Sequence, residues 1–397
     1  MIATFFLVLF LVCFITISLT YAGYIFYLYL IRRLRKDCLF NHGNNQKKVC
    51  QYVSFIIPTY NEEKVIKKKL INTLSLINHQ NKMEIIVADD GSTDDTVSIV
   101  KSLRRNWRNR IKLVSRIEHR GKPSILNAAC KAAQGEILIV SDADVFLTKK
   151  SVYHLILNFS DSTIGAVCGK ETIVNPCNNI ATKVEYRYRN FFHSLRAIEK
   201  TTDFPPLPFH GGLMAFRKEL YRDIPHDTIG DDHEIAIRIW RSGYKVIYDP
   251  NSMFLEYATR SISELYEQKR RRAQGVIQFI IRNKDILFNR KAGSFGTVRF
   301  PILASEFILC PFAFLLGITS LILYSLLVSN TLWLPLVITS IVGTIVLAYS
   351  AKQQSLKDIP YMIFGLLLFQ VAMVHAAIGI LIGTSVEWKK IMGQRID

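Results

Sequence analysis

No two of the seven cysteines, at 13, 38, 50, 130, 168, 177 and 310, form a CxxC pair. That scatter argues against a disulfide framework and against a zinc site, and it agrees with a reducing compartment. No G-x-G-x-x-G follows a strand-like run. The Gly-Lys of "RGKPS" (120–124) has Arg116 where a phosphate-cradling P-loop needs its first glycine. A dinucleotide-dependent oxidoreductase and a P-loop ATPase are therefore disfavoured. The opening "MIATFF" carries no basic side chain, whereas "RRLRK" follows the first apolar run. A cleaved secretory signal has the opposite charge order. There is no internal repeat and no low-complexity tract.

What the chain does have is apolar residue, half of its 397 positions, concentrated at the two ends. Four long runs stand out, at 2–31, 300–328, 331–350 and 360–386. Each reaches the length of about 20 residues that a membrane-spanning helix needs. The basic flank after the first run puts the N-terminus outside and the long middle region in the cytoplasm. The expected location is the cell membrane, with several passes. Charged groups inside the runs are few, Glu306 and His375 among them, so no ion pathway is suggested. Three later runs would place the C-terminus outside, yet the tail "VEWKKIMGQRID" is basic. A re-entrant or interfacial segment would resolve this, and 300–328, interrupted by Pro301 and Pro311, is the best candidate.

The formal net charge is +18. It suits a nucleic-acid binder or a protein lying on an anionic leaflet. No recognised nucleic-acid module accompanies the charge, so membrane lipids are the expected partner and nucleic acid is not.

The middle opens with a polar linker, 41–50, and then alternates between two patterns. Strand-like runs lie at 52–58, 84–90, 110–115 and 136–142, with helical segments at 62–77, 93–105 and 122–133 between them. Such alternation predicts an α/β domain with a mainly parallel sheet covered by helices. Ligands of these sheets bind outside the carboxyl ends of the strands. Three of the four strands end in polar and acidic groups: "PTYNEE", "DDGSTDD" and "SDAD". One of Ser92, Thr93 and Asp94 is expected to cap the following helix, but three such strand ends together read as a site.

Asp142 and Asp144 are two residues apart, so in an extended segment both project to one side. Paired hard oxygen donors beside a diphosphate suit Mn²⁺ or Mg²⁺. A second acidic cluster, Asp231 and Asp232, opens a helical run, "GDDHEIAIRIWRSG". Acids there are favoured by the helix dipole alone, or one of them serves as a general base. From about 262 to 291 the sequence reads as one or two amphipathic helices at the membrane surface, carrying the basic run "EQKRRRAQG".

"PTYNEE", "DDGSTDD", "SDAD", "HGGLMAFRKEL", "GDDHEIAIRIWRSGY" and "QKRRRAQG" follow one another over roughly residues 50–280. In that order they resemble the membrane-bound family-2 glycosyltransferases, which include cellulose, hyaluronan and chitin synthases and the dolichyl-phosphate mannose synthases. The resemblance implies a GT-A (Rossmann-like) cytoplasmic domain plus α-helical transmembrane segments. It also implies an inverting, metal-dependent transfer from a nucleotide-diphosphate sugar, most commonly a UDP-sugar, to a glycan or lipid acceptor. By the resemblance, Thr59, Tyr60, Glu62, Asp89 and Asp90 line the nucleotide pocket and Lys122 lies near it. Asp142 contacts the nucleotide and Asp144 the metal, Mn²⁺ or Mg²⁺. Asp232 matches the catalytic base, with Asp231 beside it. Phe209, His210 and Gly211 fall where the family places an acceptor-facing loop.

Gln268 and Arg271 match the family's QxxRW element, whose cations neutralise the departing diphosphate. Arg272 stands where the pattern has tryptophan. That departure puts processive polymer growth in question and leaves transfer of a single sugar to a polyprenyl phosphate or another lipid as the alternative. A non-catalytic scaffold or transporter is the reading from another class, and the intact Asp142, Asp144 and Asp232 argue against it. The expected organisation is a span with its basic flank at 1–40 and a glycosyltransferase domain at 41–260. Interfacial helices at 261–295 and a membrane region at 296–397 complete it.

Overall fold

The computed structural model describes residues 1–34, 52–76, 83–175, 179–199, 202, 204–207, 209, 211–328 and 359–383. They divide into two compact units. One holds the described residues of 40–176 and 204–259, the other those of 1–39, 177–203 and 260–386.

The first unit is built on an eight-stranded sheet. Its strands are β1 Val53–Thr59, β2 Met83–Asp89, β3 Ile111–Ser115, β4 Ile137–Ser141, β5 Phe146–Leu147, β6 Ile164–Ile173, β7 Leu213–Arg217 and β8 Lys245–Glu256. The order across the sheet is β3-β2-β1-β4-β7-β6-β8-β5. The four strands β3, β2, β1 and β4 run parallel, as the alternating sequence predicts. Beyond them β7 is antiparallel to both β4 and β6, while β6 pairs parallel with β8, so the whole sheet is mixed. Every residue of β1, β2 and β4 is buried. That two-sided burial is why these runs read as continuous Ile, Val and Phe rather than as alternation. Phe55, Ile57, Ile85, Val87, Ile139, Ala215 and Phe254 form the core on one face.

Five helices cover the sheet: α1 Ile66–Leu76, α2 Thr96–Asn106, α3 Lys122–Ala132, α4 Lys149–Leu157 and α5 Asp231–Arg241. Two of them start later than their sequence pattern suggests. The residues before α1 and α2 are occupied in bonding one another. Asn61 N donates to Ser92 Oγ (2.9 Å), Glu62 N to Thr96 Oγ1 (2.7 Å), Glu63 N to Asp94 Oδ2 (3.1 Å) and Thr93 N to Asn61 Oδ1 (2.8 Å). Asp95, and none of the three expected residues, occupies the cap position of α2. Asn61 takes a left-handed φ of 54° to make this lacing possible, a conformation asparagine tolerates better than most residues.

Among the described residues of the second unit, three helical stretches are long and apolar enough to cross a membrane: Ile2–Leu34, Phe295–Val328 and Ile363–Leu381. The run at 331–350 lies outside the described residues. Pro301 and Pro311 do not interrupt their helix. A π-helical turn precedes each, at Phe295–Arg299 and Ser305–Leu309, and the 34-residue stretch continues through both. Proline removes an N–H and crowds the carbonyl four residues back, and a wider turn relieves both problems. The interruption expected within 300–328 is thus absent, and the segment is one continuous helix. Close packing of the first two spans runs through Gly317, where a Cβ would come within 3.2 Å of Cys13 Cβ.

The unit also contains the helices Ile180–Glu199 and Ile262–Arg282. The two expected intramembrane groups are both engaged. His375 Nδ1 lies 2.8 Å from the Tyr266 hydroxyl. Glu306 pairs with the Arg299 guanidinium at 3.6 Å, and that guanidinium reaches Glu199 at 3.0 Å while Tyr24 donates to the same carboxylate. Arg299 is buried, with 2% of its surface exposed. Removing one member of such a cluster strands the others away from water. Arg299→Ala is expected to cost about 3–5 kcal/mol of unfolding free energy, read from denaturant unfolding in detergent micelles. An unchanged midpoint would show that the cluster is not structural.

Candidate active site

The carboxyl ends of β1, β2 and β4 place the expected acids side by side. Thr59 and Asp89 are register partners at the ends of β1 and β2. Asp89 is buried; its Oδ2 accepts from Ser115 Oγ (2.9 Å), and its Oδ1 has no hydrogen-bond partner. A buried carboxylate oxygen left without a donor is costly, and it is an acceptor that a ligand N–H can satisfy. Asp90 is used differently. It accepts from Gly121 N (2.7 Å) and pairs with His119 Nδ1 (2.8 Å), fixing the loop that leads into α3. Burial raises its pKa. His119 stacks on the Tyr60 ring with centroids 3.9 Å apart, so Tyr60, Asp89, Asp90 and His119 form one corner of the site. Glu62 is largely buried, and its carbonyl accepts from Val65 N (3.0 Å) in the turn that opens α1.

Lys122 is the first residue of α3, and Gly121 before it has φ +89°, a value that suits glycine. The Lys122 ammonium sits 2.9 Å from Asp142 Oδ1 and 3.3 Å from Asp231 Oδ2. Burial opposes its charge, but Asp142, Asp231 and Asp232 together outweigh burial and hold its pKa above the ordinary lysine range. One cation therefore joins the end of β4 to the start of α5.

Asp142 and Asp144 stand in a tight turn between β4 and β5, closed by Val145 N donating to Asp142 O (3.3 Å). The extended geometry expected for this pair is absent, so strand alternation does not set the direction of the two carboxylates. Among the described residues no group of three or more His, Cys, Asp or Glu side chains converges as a metal cage. Two carboxylates of one turn are nevertheless the donor set of a hard divalent ion that completes its shell with diphosphate oxygens.

Asp231 and Asp232 open α5, where the helix dipole favours anions. Burial pushes Asp231 above the usual carboxylate range, partly offset by Lys122. Asp232 moves the other way. Burial raises it too, but the His233 ring, with Nδ1 2.6 Å from Asp232 Oδ1, together with Lys122 and the His233 backbone N–H outweighs burial and holds it below that range. Two adjacent acids with pKa values driven apart are the mark of divided acid and base duties. Asp232 Oδ2 faces Gly211, where a Cβ would lie 3.0 Å from it. The acceptor-loop candidate Gly211 thus adjoins Asp232, Phe209 is buried, and His210 lies outside the described residues. Gln268, Arg271 and Arg272 belong to the second unit, on the helix Ile262–Arg282. There Gln268 is buried and the Arg272 guanidinium lies 3.8 Å from Glu185 Oε1.

Sequence reading missed His233 and His119. His233 directly follows a recognised acid, whereas His119 stands 29 residues from Asp90, and only the folded loop shows which atoms meet.

Residues 54–224 match the family described as "Glycosyl transferase family 2". Over 235 residues the chain is 27% identical to a poly-beta-1,6-N-acetyl-D-glucosamine synthase of Staphylococcus aureus, covering 58% of this chain. The chain spans little more than half of that relative, 56% of its length. It is 25% identical over 296 residues to a Bacillus subtilis protein named "Probable glycosyltransferase YdaM", with 70% of each chain covered. Among solved structures, a mannosyltransferase of Pyrobaculum calidifontis in complex with GDP-Man and Mn²⁺ superposes with a TM-score of 0.72 at 24% identity, covering 94% of this chain and 99% of the other. That last likeness is one of fold, and the fold is GT-A.

With its pKa depressed, the Asp232 carboxylate stays ionised until the pH falls below the ordinary carboxylate value. The acid limb of the pH–rate profile should therefore lie under the model-peptide value of about 3.9, leaving rates flat from pH 8 to pH 5. In His233→Leu burial is opposed only by Lys122 and the backbone N–H of residue 233, and the limb should move up. A limb that stays put would remove His233 from the control of Asp232.

Proposed function

We propose, from the premise that this chain is a glycosyltransferase whose residues 54–224 carry a family 2 domain, that it extends a membrane-associated glycan from a nucleotide-diphosphate sugar. Transfer inverts the anomeric centre. Asp232 takes the proton of the acceptor hydroxyl, the hydroxyl oxygen bonds to the anomeric carbon, and the bond from that carbon to the diphosphate breaks. The nucleoside diphosphate leaves with the electron pair. An α-linked donor then gives a β-linked product.

The observation that carries this reading is the Asp232 carboxylate at the head of α5, beside Gly211, with Lys122 linking the adjacent Asp231 to Asp142. Asp89, with its unpartnered Oδ1, and Tyr60 are assigned to the base and ribose of the donor. Asp144 and Asp142 are assigned to a divalent ion, Mn²⁺ or Mg²⁺, which when bound supplies positive charge against the departing diphosphate. Gln268 and Arg271 are assigned to the same diphosphate by the family's QxxRW element. A UDP-sugar is the proposed donor, supported by the N-acetylglucosamine polymer named for the staphylococcal relatives. The three spans and the basic flank support a membrane location with the catalytic unit on the cytoplasmic side.

A second reading rests on Arg272. Where the family pattern supplies a tryptophan face for a sugar, this chain supplies a guanidinium 3.8 Å from Glu185, a carboxylate that Arg189 and Lys269 already hold more closely. That favours transfer of one sugar to a polyprenyl phosphate or another lipid, and the size of the labelled product separates the two readings.

Asp232→Asn removes the proton acceptor and little else. Its turnover should fall by about 10²–10⁴-fold, with the dissociation constant for the nucleotide changed by no more than about twofold. Nucleotide release by purified protein in lipid, followed with a panel of labelled donors, measures the first, and calorimetry the second. Wild-type turnover in the variant would take Asp232 out of the mechanism.

A further inference from the structure

Lys69 is a lysine on the core-facing side of α1, in line with Ile66, Leu70 and Thr73, and none of its surface is exposed. A lysine there is costly to desolvate, so its hydrogen bonds identify what it holds. There are two, both to the segment that carries the paired aspartates. Lys69 Nζ donates to Ser141 Oγ (2.7 Å), the residue before Asp142, and to Val145 O (2.7 Å), the residue after Asp144. Ser141 Oγ in turn donates to Gly212 O (3.2 Å), next to Gly211. One turn of α1 further on, Asn72 closes the same segment. Its Nδ2 donates to Leu147 O (2.9 Å), and Leu147 N donates to its Oδ1 (2.9 Å). Burial pushes Lys69 down to about 7 while Asp142 and Asp144 pull it back up.

We infer that Lys69 is a positioning residue: through Ser141 it locks the aspartate turn and the Gly211–Gly212 loop into one rigid unit. The inference rests on the reading of Asp142 and Asp144 as metal-holding. Among the described residues, Lys69 and Asn72 are the side chains of α1 that hydrogen-bond this segment, so Lys69 fixes the turn from the α1 side while Lys122 holds Asp142 Oδ1 from the other. The carbonyl and hydroxyl partners of Lys69 are buried, and without it Val145 O and Ser141 Oγ each lose a donor that water cannot replace. Supporting groups of this kind behind metal ligands are commonly worth about 10–100-fold in affinity.

The test is Mn²⁺ binding by the full chain in lipid, counted by electron paramagnetic resonance with UDP and with GDP, beside metal-free nucleotide binding. Lys69→Met keeps an unbranched side chain only one atom shorter and removes the donors. It should weaken Mn²⁺ binding by about 10–100-fold and leave metal-free nucleotide binding within about twofold. Ser141→Ala should weaken Mn²⁺ binding in the same direction, and the double variant should lose less than the sum of the two single losses, because Lys69 and Ser141 share one hydrogen bond. Should Lys69→Met fail to fold, Ser141→Ala decides the matter by the same two measurements.

Mn²⁺ affinity that is unchanged or tighter in a folded Lys69→Met protein overturns the inference, as does a parallel loss of metal-free nucleotide binding, which marks a general defect. A wild-type protein that binds no Mn²⁺ with either nucleotide overturns the metal reading itself, and the inference with it.

Discussion

A single ammonium group, that of Lys122, keeps three carboxylates of the site within one small volume. Asp142, Asp231 and Asp232 come from two segments about ninety positions apart in the chain, and like charges brought this close raise one another's pKa. With Lys122 2.9 Å from Asp142 and 3.3 Å from Asp231, the cluster is tolerable without any ligand. The surrounding architecture serves that placement. Gly121 in a left-handed conformation turns the chain into α3 at the right point. The end of β4 delivers Asp142, and Asp231 and Asp232 stand where the dipole of α5 stabilises negative charge.

Around this centre, many of the polar residues spend their hydrogen bonds on shaping loops. Asp90 pins the approach to Lys122 through Gly121 N. Asn61, Glu63 and Asp94 lace two loops together. Lys69 and Asn72 hold the aspartate turn from below. This division leaves few groups with buried valence to spare, and Asp89 Oδ1 is one of them. Rigid surroundings of this kind suit a reaction whose catalysis depends on holding donor, acceptor and base in register. The second unit follows a comparable logic, with Arg299, Glu199, Glu306 and Tyr24 satisfying one another in its interior.

Much of the parallel half of the sheet was legible in the sequence, because β1, β2 and β4 are buried on both faces and so appear as unbroken apolar runs. The acids at their ends were legible for the same reason: a run that stops at a fixed depth places the next residue at the sheet's edge. The antiparallel insertion of β7 was not, since pairing across the sheet leaves no local periodicity. Nor did "SDAD" reveal its turn, which is closed by a backbone bond and by a lysine seventy residues earlier. Lys69 itself looked like any of the lysines in "KVIKKKL"; only the helical phase, with Ile66 and Leu70 on the same face, set it apart. Pro301 and Pro311 looked like interruptions because a π turn costs no residue type that sequence could flag.

The proposed reaction is one displacement at the anomeric carbon, with Asp232 removing the acceptor's proton and no covalent sugar–enzyme intermediate. The measurement that meets this most directly is the anomeric configuration of the product, read by proton NMR after turnover of an α-linked nucleotide sugar. The account predicts a β linkage. An α linkage would require two displacements or a front-face mechanism, and would contradict the role given to Asp232.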